Sequence, residues 1–242
     1  MVNKKARDLF SGLFPQYCAL CELRGNQPLP LCCDCALELQ ANSHCCCRCA
    51  IPLPTTSRHN PATPCGTCQR DPPPFDRVIA PWLYCERLAH LIQRWKFHRE
   101  RRLTPMLTSL FLQRNEPGCV DALIPVPLHW RRLLQRGFNQ SELFCRQLQA
   151  LQPDLRAARL DHRGVRRDRA TPAQSGMSAA QRRRNLGGAF TVRNRYDNLR
   201  VAIVDDVFTT GATATAMASA LRRAGAGHIE VWCLARTPAP GS

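Results

Sequence analysis

From about residue 77 onward, short apolar runs alternate with segments of helical spacing. Arg77 to Tyr84 reads as a strand, and Arg87 to Phe97 and Pro105 to Gln113 as helices. Val120 to Pro125 is an apolar run bounded by Gly118 and by Pro125 and Pro127, the pattern of a buried strand. Asn139 to Leu151 is predicted as a helix, with Leu143, Phe144, Gln147 and Leu148 near the required spacing. Ala189 to Val192 and Val201 to Val204 read as short strands. Ala214, Met217, Ala218 and Leu221 sit at i, i+3, i+4 and i+7, a buried helix face that Gly225 closes. Ile229 to Leu234 is a further strand. Strands alternating with helices predict an α/β domain with a mostly parallel sheet. Such sheets place their ligands at the carboxyl ends of the strands.

The first seventy or so residues show no such period. Cysteine dominates there instead: 11 of the 15 cysteines precede residue 69. Four Cys-x-x-Cys units run in series, Cys18/Cys21, Cys32/Cys35, Cys46/Cys49 and Cys65/Cys68, with gaps of 10, 10 and 15 residues. One Cys-x-x-Cys turn aims two thiolates at a common point, and two such turns complete a tetrahedral zinc site. Eight ligands suffice for two ions. Sequential and interleaved pairings use the same residues. Cys33, Cys45 and Cys47 blur the register, and His44 is a possible substitute ligand. A redox dithiol needs only one such unit, at a helix start. A segment this poor in aliphatic residues cannot build a core, so structural zinc would supply its folding free energy. Pro72-Pro73-Pro74 reads as a stiff spacer that closes the module. The 242 residues thus divide into a zinc module over 1–74 and an α/β domain over 75–242.

No segment approaches the ~20 apolar residues of a bilayer span, and no signal peptide is read, so membrane insertion is not expected. The expected compartment is the cytoplasm, where thiols stay reduced and clustered cysteines hold metal.

Charge separates from cysteine. The net charge is +16, and residues 76–242 carry 27 Lys/Arg against 13 Asp/Glu. Of the basic residues 31 are Arg and 3 are Lys. Arginine binds phosphate bidentately and stays charged, so anionic partners are expected.

The chemistry concentrates in Val201-Ala-Ile-Val-Asp-Asp-Val-Phe-Thr-Thr-Gly-Ala-Thr213. An apolar strand delivers Asp205 and Asp206, and a small hydroxyl-bearing loop then leads into a helix. Gly211 lets backbone approach an anion, and the amides of Thr210, Gly211 and Ala212 precede a helix N-terminus. Loop and carboxylates together suit a sugar phosphate. The Gly-Lys-Ser/Thr ending of a Walker loop is absent, as is the Gly-x-Gly-x-x-Gly dinucleotide turn.

This stretch resembles the 5-phosphoribosyl-1-pyrophosphate (PRPP) loop of type I phosphoribosyltransferases. Three further blocks resemble one branch of that superfamily, the ComF family of competence and DNA-utilisation proteins. They are Trp95-Lys-Phe97; Ile124-Pro-Val-Pro-Leu-His129 with Arg131, Arg132 and Arg136-Gly-Phe-Asn-Gln140; and Thr171, Gln174, Arg182 to Asn185 and Gly188-Ala-Phe190. The Cys-x-x-Cys series matches the family's zinc module.

The resemblance implies a type I phosphoribosyltransferase-like fold and a magnesium-dependent glycosyltransferase with PRPP as donor. Asp205 and Asp206 would hold the ribose hydroxyls, and Thr209, Thr210, Gly211, Ala212 and Thr213 would cradle the 5-phosphate. Val126 and Pro127 would form the pyrophosphate turn. Arg136, with Arg131 and Arg132, would neutralise pyrophosphate. Gln174, Arg182 and Asn185 fall in a basic segment, Arg163 to Arg184, expected to act as a lid. No base-binding signature names the acceptor. A second class of function is therefore carried alongside: a non-catalytic protein that grips single-stranded DNA through arginines and Trp95, Phe97, Trp130 and Phe138, with PRPP as ligand or regulator. Proteins of the DNA-uptake machinery are the other partners implied.

Overall fold

The computed structural model describes residues 16–25, 29–54, 63–115, 117–168 and 189–238. The cysteine-rich segment opens with a small antiparallel pair, β1 (Gln16–Tyr17) and β2 (Arg24–Gly25). Two short helices follow, α1 (Cys33–Leu37) and α2 (Gly66–Arg70). Each begins just after the first cysteine of a Cys-x-x-Cys unit, Cys32 or Cys65, in extended N-cap conformation.

The sheet starts with β3 (Arg77–Ile79) and β4 (Trp82–Leu83). The single strand predicted over 77–84 is interrupted at Ala80-Pro81, since proline has no N–H to give a ladder. Next come α3 (Glu86–Phe97), α4 (Leu103–Leu112), β5 (Ala122–Pro125), α5 (Trp130–Arg136) and α6 (Gln140–Leu151). The rest is β6 (Arg159–Leu160), β7 (Val165–Arg167), β8 (Phe190–Val192), β9 (Arg200–Phe208), α7 (Ala212–Arg223) and β10 (His228–Arg236). The main sheet runs β3-β10-β9-β5-β6, with β4 also against β10, and every pair in it is parallel.

Alternation along the strands builds two cores. Leu123, Ala202, Val204, Trp232 and Leu234 face α3, α4 and α6, where Leu91, Ile92, Trp95, Phe111 and Phe144 are buried. Ala122, Ile124, Val201, Ile203, Val231 and Cys233 face α7, meeting Ala214, Met217, Ala218 and Leu221. The predicted helix face is thus the observed one. Gly225 closes α7 at φ 98°, where an added Cβ would meet Asp197. The cysteine-rich segment packs on the same body. Leu31, Leu39, Cys18 and Cys35 join the first core, and Asn42 donates to the carbonyls of Ala50 and Ala80.

Strand lengths also differ from the prediction. β9 extends beyond Val204 to Phe208, because β10 continues to pair with it through Arg236. The segment expected as a lid begins as β7, which pairs antiparallel with β8; residues 169–188 lie outside the described residues. No helix among the described residues is long and apolar enough to cross a membrane.

Candidate functional site

The eight cysteines of the Cys-x-x-Cys units form two groups in sequential order. Cys18, Cys21, Cys32 and Cys35 make one, Cys46, Cys49, Cys65 and Cys68 the other, with all ligand atoms in a group within 4.8 Å of each other. The interleaved pairing is not the one formed, and no disulfide joins any of the cysteines. The Sγ atoms of Cys21 and Cys32 are 3.6 Å apart and those of Cys49 and Cys65 3.7 Å. A tetrahedron with zinc–sulfur bonds of ~2.3 Å has edges of ~3.8 Å, so the groups fit zinc.

The same local design recurs in both. After Cys21 and Cys49 the chain takes a positive φ at Glu22 (60°) and Ala50 (52°), whose amides return to the carbonyls of Cys18 and Cys46. Amides of Leu20 and Arg48 donate to the Sγ of Cys18 and Cys46. The helix starts of α1 and α2 supply the other two thiols. The Cys49 thiol and nearby amides hold Cys46 down to about 4, while burial pushes Cys68 up to about 12. Cys46 and Cys68 therefore do not ionise together without a cation among them.

The second centre lies on β9. Successive strand residues face opposite sides, so Asp205 and Asp206 diverge. Asp206 is buried and meets Lys96 from α3, with Nζ 2.7 Å from Oδ1. Its other oxygen accepts from Gln140 Nε2 at 2.8 Å. Asp205 Oδ1 accepts from the Asp206 amide at 2.9 Å and from Ser141 Oγ at 3.4 Å. Burial and the adjacent Asp206 push Asp205 up to about 7, with Lys96 opposing. Burial lowers the Arg136 guanidinium on α5, and the charges of Asp206 and Asp205 oppose that. Arg167 on β7 is likewise lowered by burial and by Arg132, with Asp205 opposing. Arg132, Arg136, Arg167 and Lys96 thus share one electrostatic neighbourhood with two carboxylates.

Breaking the Lys96–Asp206 pair leaves a buried, uncompensated charge. Lys96→Met is expected to destabilise the chain by about 3–5 kcal/mol. Adding Asp206→Asn should restore part of that loss. Denaturant unfolding of the single and double variants checks both.

The turn after β9 completes the site. Asp205, Val126 and Thr209 to Ala214 line one small recess. Thr209 and Thr210 are exposed and Gly211 is the N-cap of α7, at φ 74°. A Cβ there would lie 2.6 Å from Phe208 Cζ, so the position demands glycine twice over. Val126, buried, donates its amide to the Val204 carbonyl and accepts from Asn139 Nδ2. Pro127 follows it directly and is half-buried.

The remaining expected residues separate. Arg131 is exposed and stacks on Trp130, 5.2 Å from the ring centre. Gln174, Arg182 and Asn185 lie outside the described residues. Of the four aromatics, Trp95 and Phe138 are buried in the core, whereas Phe97 and Trp130 are 60% and 59% exposed. Arg136 stacks over Phe97 at 4.8 Å. Sequence reasoning missed Gln140 and Ser141 as partners of the carboxylates, and α5 as a helix. It noted Lys96 only within a resemblance, though a lone lysine in an arginine-rich domain was a usable signal.

No protein-family model matches the chain. It is 36% identical over 227 residues to the DNA utilization protein YhgH of Salmonella typhimurium, covering 91% of this chain and 90% of that protein. Identity to the protein of the same name in Escherichia coli (strain K12) is 38% over 192 residues, 76% of this chain and 82% of the relative. Competence protein F of Haemophilus influenzae is 34% identical over 218 residues, 85% of this chain and 90% of the relative.

Proposed function

Since the chain belongs to the ComF family of competence and DNA-utilisation proteins, we propose that it binds PRPP through a type I phosphoribosyltransferase-like domain over residues 75–242. The observation that carries this reading is the recess that joins Asp205 and Val126 to the Thr209–Thr213 turn at the start of α7. A glycine-bearing turn at a helix N-terminus suits a phosphate. Carboxylates beside it suit ribose hydroxyls. In this reading Thr209 to Thr213 receive the 5-phosphate, and Val126 and Pro127 flank the pyrophosphate. Asp206 is committed to Lys96, which leaves Asp205 as the carboxylate whose proton state changes near neutrality. Its hard oxygens suit magnesium, which when bound supplies positive charge for the leaving pyrophosphate.

The proposed reaction is phosphoribosyl transfer. The bond from the anomeric carbon to the pyrophosphate oxygen breaks, pyrophosphate keeps the electron pair, and the acceptor's nucleophile bonds to that carbon. Arg136, with Arg132, would stabilise the departing anion through position and charge, and Lys96 would hold Asp206 in place. Zinc in the two cysteine groups is structural, because four thiolates leave no open position. The test is a screen of magnesium-PRPP with bases, nucleosides and DNA fragments, scored by pyrophosphate release. Release that needs both an acceptor and Arg136 supports transfer. No release with any acceptor removes the enzymatic reading.

A second reading rests on the exposed rings. Phe97 and Trp130 stand beside Arg136 and Arg131, and α5 buries no residue at all. Aromatic stacking and arginine charge suit single-stranded DNA, at about 1–3 kcal/mol per stacked base. Trp130→Ala is expected to weaken binding of a fluorescent oligonucleotide roughly tenfold, with affinity falling steeply as salt rises. Unchanged affinity in Trp130→Ala and Phe97→Ala would exclude this surface.

A further inference from the structure

We infer that the second cysteine group, Cys46, Cys49, Cys65 and Cys68, sets the shape of the Thr209–Gly211 turn, and that Arg236 is the positioning residue between them. Arg236 ends β10 in register with Phe208, and only 6% of it is exposed. Its Nε donates to the Cys49 carbonyl at 3.1 Å. Its Nη1 donates to the carbonyls of Phe208, Thr209 and Thr237, at 3.1, 2.6 and 2.5 Å. One buried guanidinium therefore joins the cysteine knuckle to the turn.

The contact continues into the turn through Phe208. The Arg236 guanidinium lies 5.0 Å from the centre of the Phe208 ring. The same ring occupies the space where Gly211 would carry a side chain. Phe75 packs edge-on with the same ring, at 5.9 Å between centres. A trans peptide points each carbonyl opposite to the following N–H. Holding the Phe208 and Thr209 carbonyls toward Arg236 thus turns the Thr209 and Thr210 amides away from it.

Charge supports the same link. A divalent cation among four thiolates leaves a net charge of about −2, which faces the guanidinium through Cys49. A metal-free group of thiols lacks that charge. The first cysteine group is tied elsewhere: Arg94 of α3 donates to the Ala19 carbonyl in its knuckle, and Cys18 and Cys35 pack into the core shared with α3 and α4. The consequence for ligand binding rests on the PRPP reading; the positioning itself does not.

The test compares Arg236→Gln, Arg236→Lys, Cys65→Ser and Cys21→Ser in the full chain. Metal analysis gives zinc per chain, and amide hydrogen exchange follows peptides spanning 205–216, with α3 and β5 peptides as the folding control. Arg236→Gln should keep the wild-type zinc content yet exchange at least tenfold faster at 205–216. Arg236→Lys, which keeps the charge but not the fork, should fall between it and wild type. Cys65→Ser should lose one zinc and accelerate the same peptides, whereas Cys21→Ser should lose one zinc and leave them at the wild-type rate. Should Arg236→Gln lose protection throughout, Arg236→Lys and Cys65→Ser decide. Wild-type exchange at 205–216 in both, or equal acceleration by Cys21→Ser, overturns the inference. Magnesium-PRPP titration of Arg236→Gln should show at least a tenfold loss. A wild type that does not bind PRPP defeats the ligand reading alone, since the exchange result still decides the positioning.

Discussion

Replacing one ligand in each cysteine group, Cys21→Ser with Cys65→Ser, is expected to yield a chain without bound zinc whose first seventy residues are cut rapidly by protease. The wild type should carry close to two zincs per chain. The reason is the thinness of the core there. Of the described residues before Pro72, the buried aliphatic side chains are Leu31, Leu39 and Ala50, and the other buried apolar positions are cysteines of the two groups. Structural zinc contributes about 10–16 kcal/mol to folding in small modules, far more than three such side chains. Because Leu31 and Leu39 also pack against α3 and α4, thermal unfolding of the whole chain should shift down as well. Metal analysis with limited proteolysis checks this. A double variant with unchanged zinc content and unchanged resistance would remove the metal assignment.

The second large effect concerns the carboxylate pair. Asp205→Ala with Asp206→Ala is expected to weaken magnesium-PRPP binding by at least a hundredfold. The single variants should differ in kind. Asp206→Ala strands Lys96 in a buried site and should lower stability as well as affinity. Asp205→Asn keeps the shape and removes the titratable charge. With Asp205 raised to about 7 from a reference of 3.8, its ionisation disfavours the folded state. The unfolded chain releases that proton first, so stability should fall as pH rises from about 4 to about 7. Asp205→Asn should flatten this window. Ligand binding should run the other way: affinity for magnesium-PRPP should rise from pH 5.5 toward 7.5 as Asp205 ionises. Thermal melts and titrations across that range measure both slopes. A wild type with no slope in either measurement would contradict the environment assigned to Asp205.

Much of this arrangement could be read from residue spacing, because spacing is what the physics uses. Cys-x-x-Cys turns, the Ala214-to-Leu221 helix face and the Val201-to-Thr213 strand, turn and helix each carry their cause locally. Two kinds of feature were invisible. The first is anything set by a distant partner. Lys96 reaches Asp206 from another layer, and Gln140 does so from the helix start beyond β5. β9 runs past Val204 because β10 pairs with it, not because of its own sequence. The second is anything that escapes burial. α5 buries no residue, so no apolar period announces it. Burial also divided the aromatics in a way composition cannot, placing Trp95 and Phe138 in the core and leaving Phe97 and Trp130 outside. The choice between sequential and interleaved cysteine pairing needed the path of the chain between units. The order proved sequential, with knuckle and helix start repeated in each group.

The most direct test of PRPP binding is a calorimetric titration of the zinc-loaded full chain with magnesium-PRPP at pH 7.5, beside the Asp205→Ala, Asp206→Ala double variant confirmed as folded by circular dichroism. The expected result is saturable binding of one PRPP per chain in the wild type and none in the variant. No binding by the wild type, or equal affinity in the two, would contradict it.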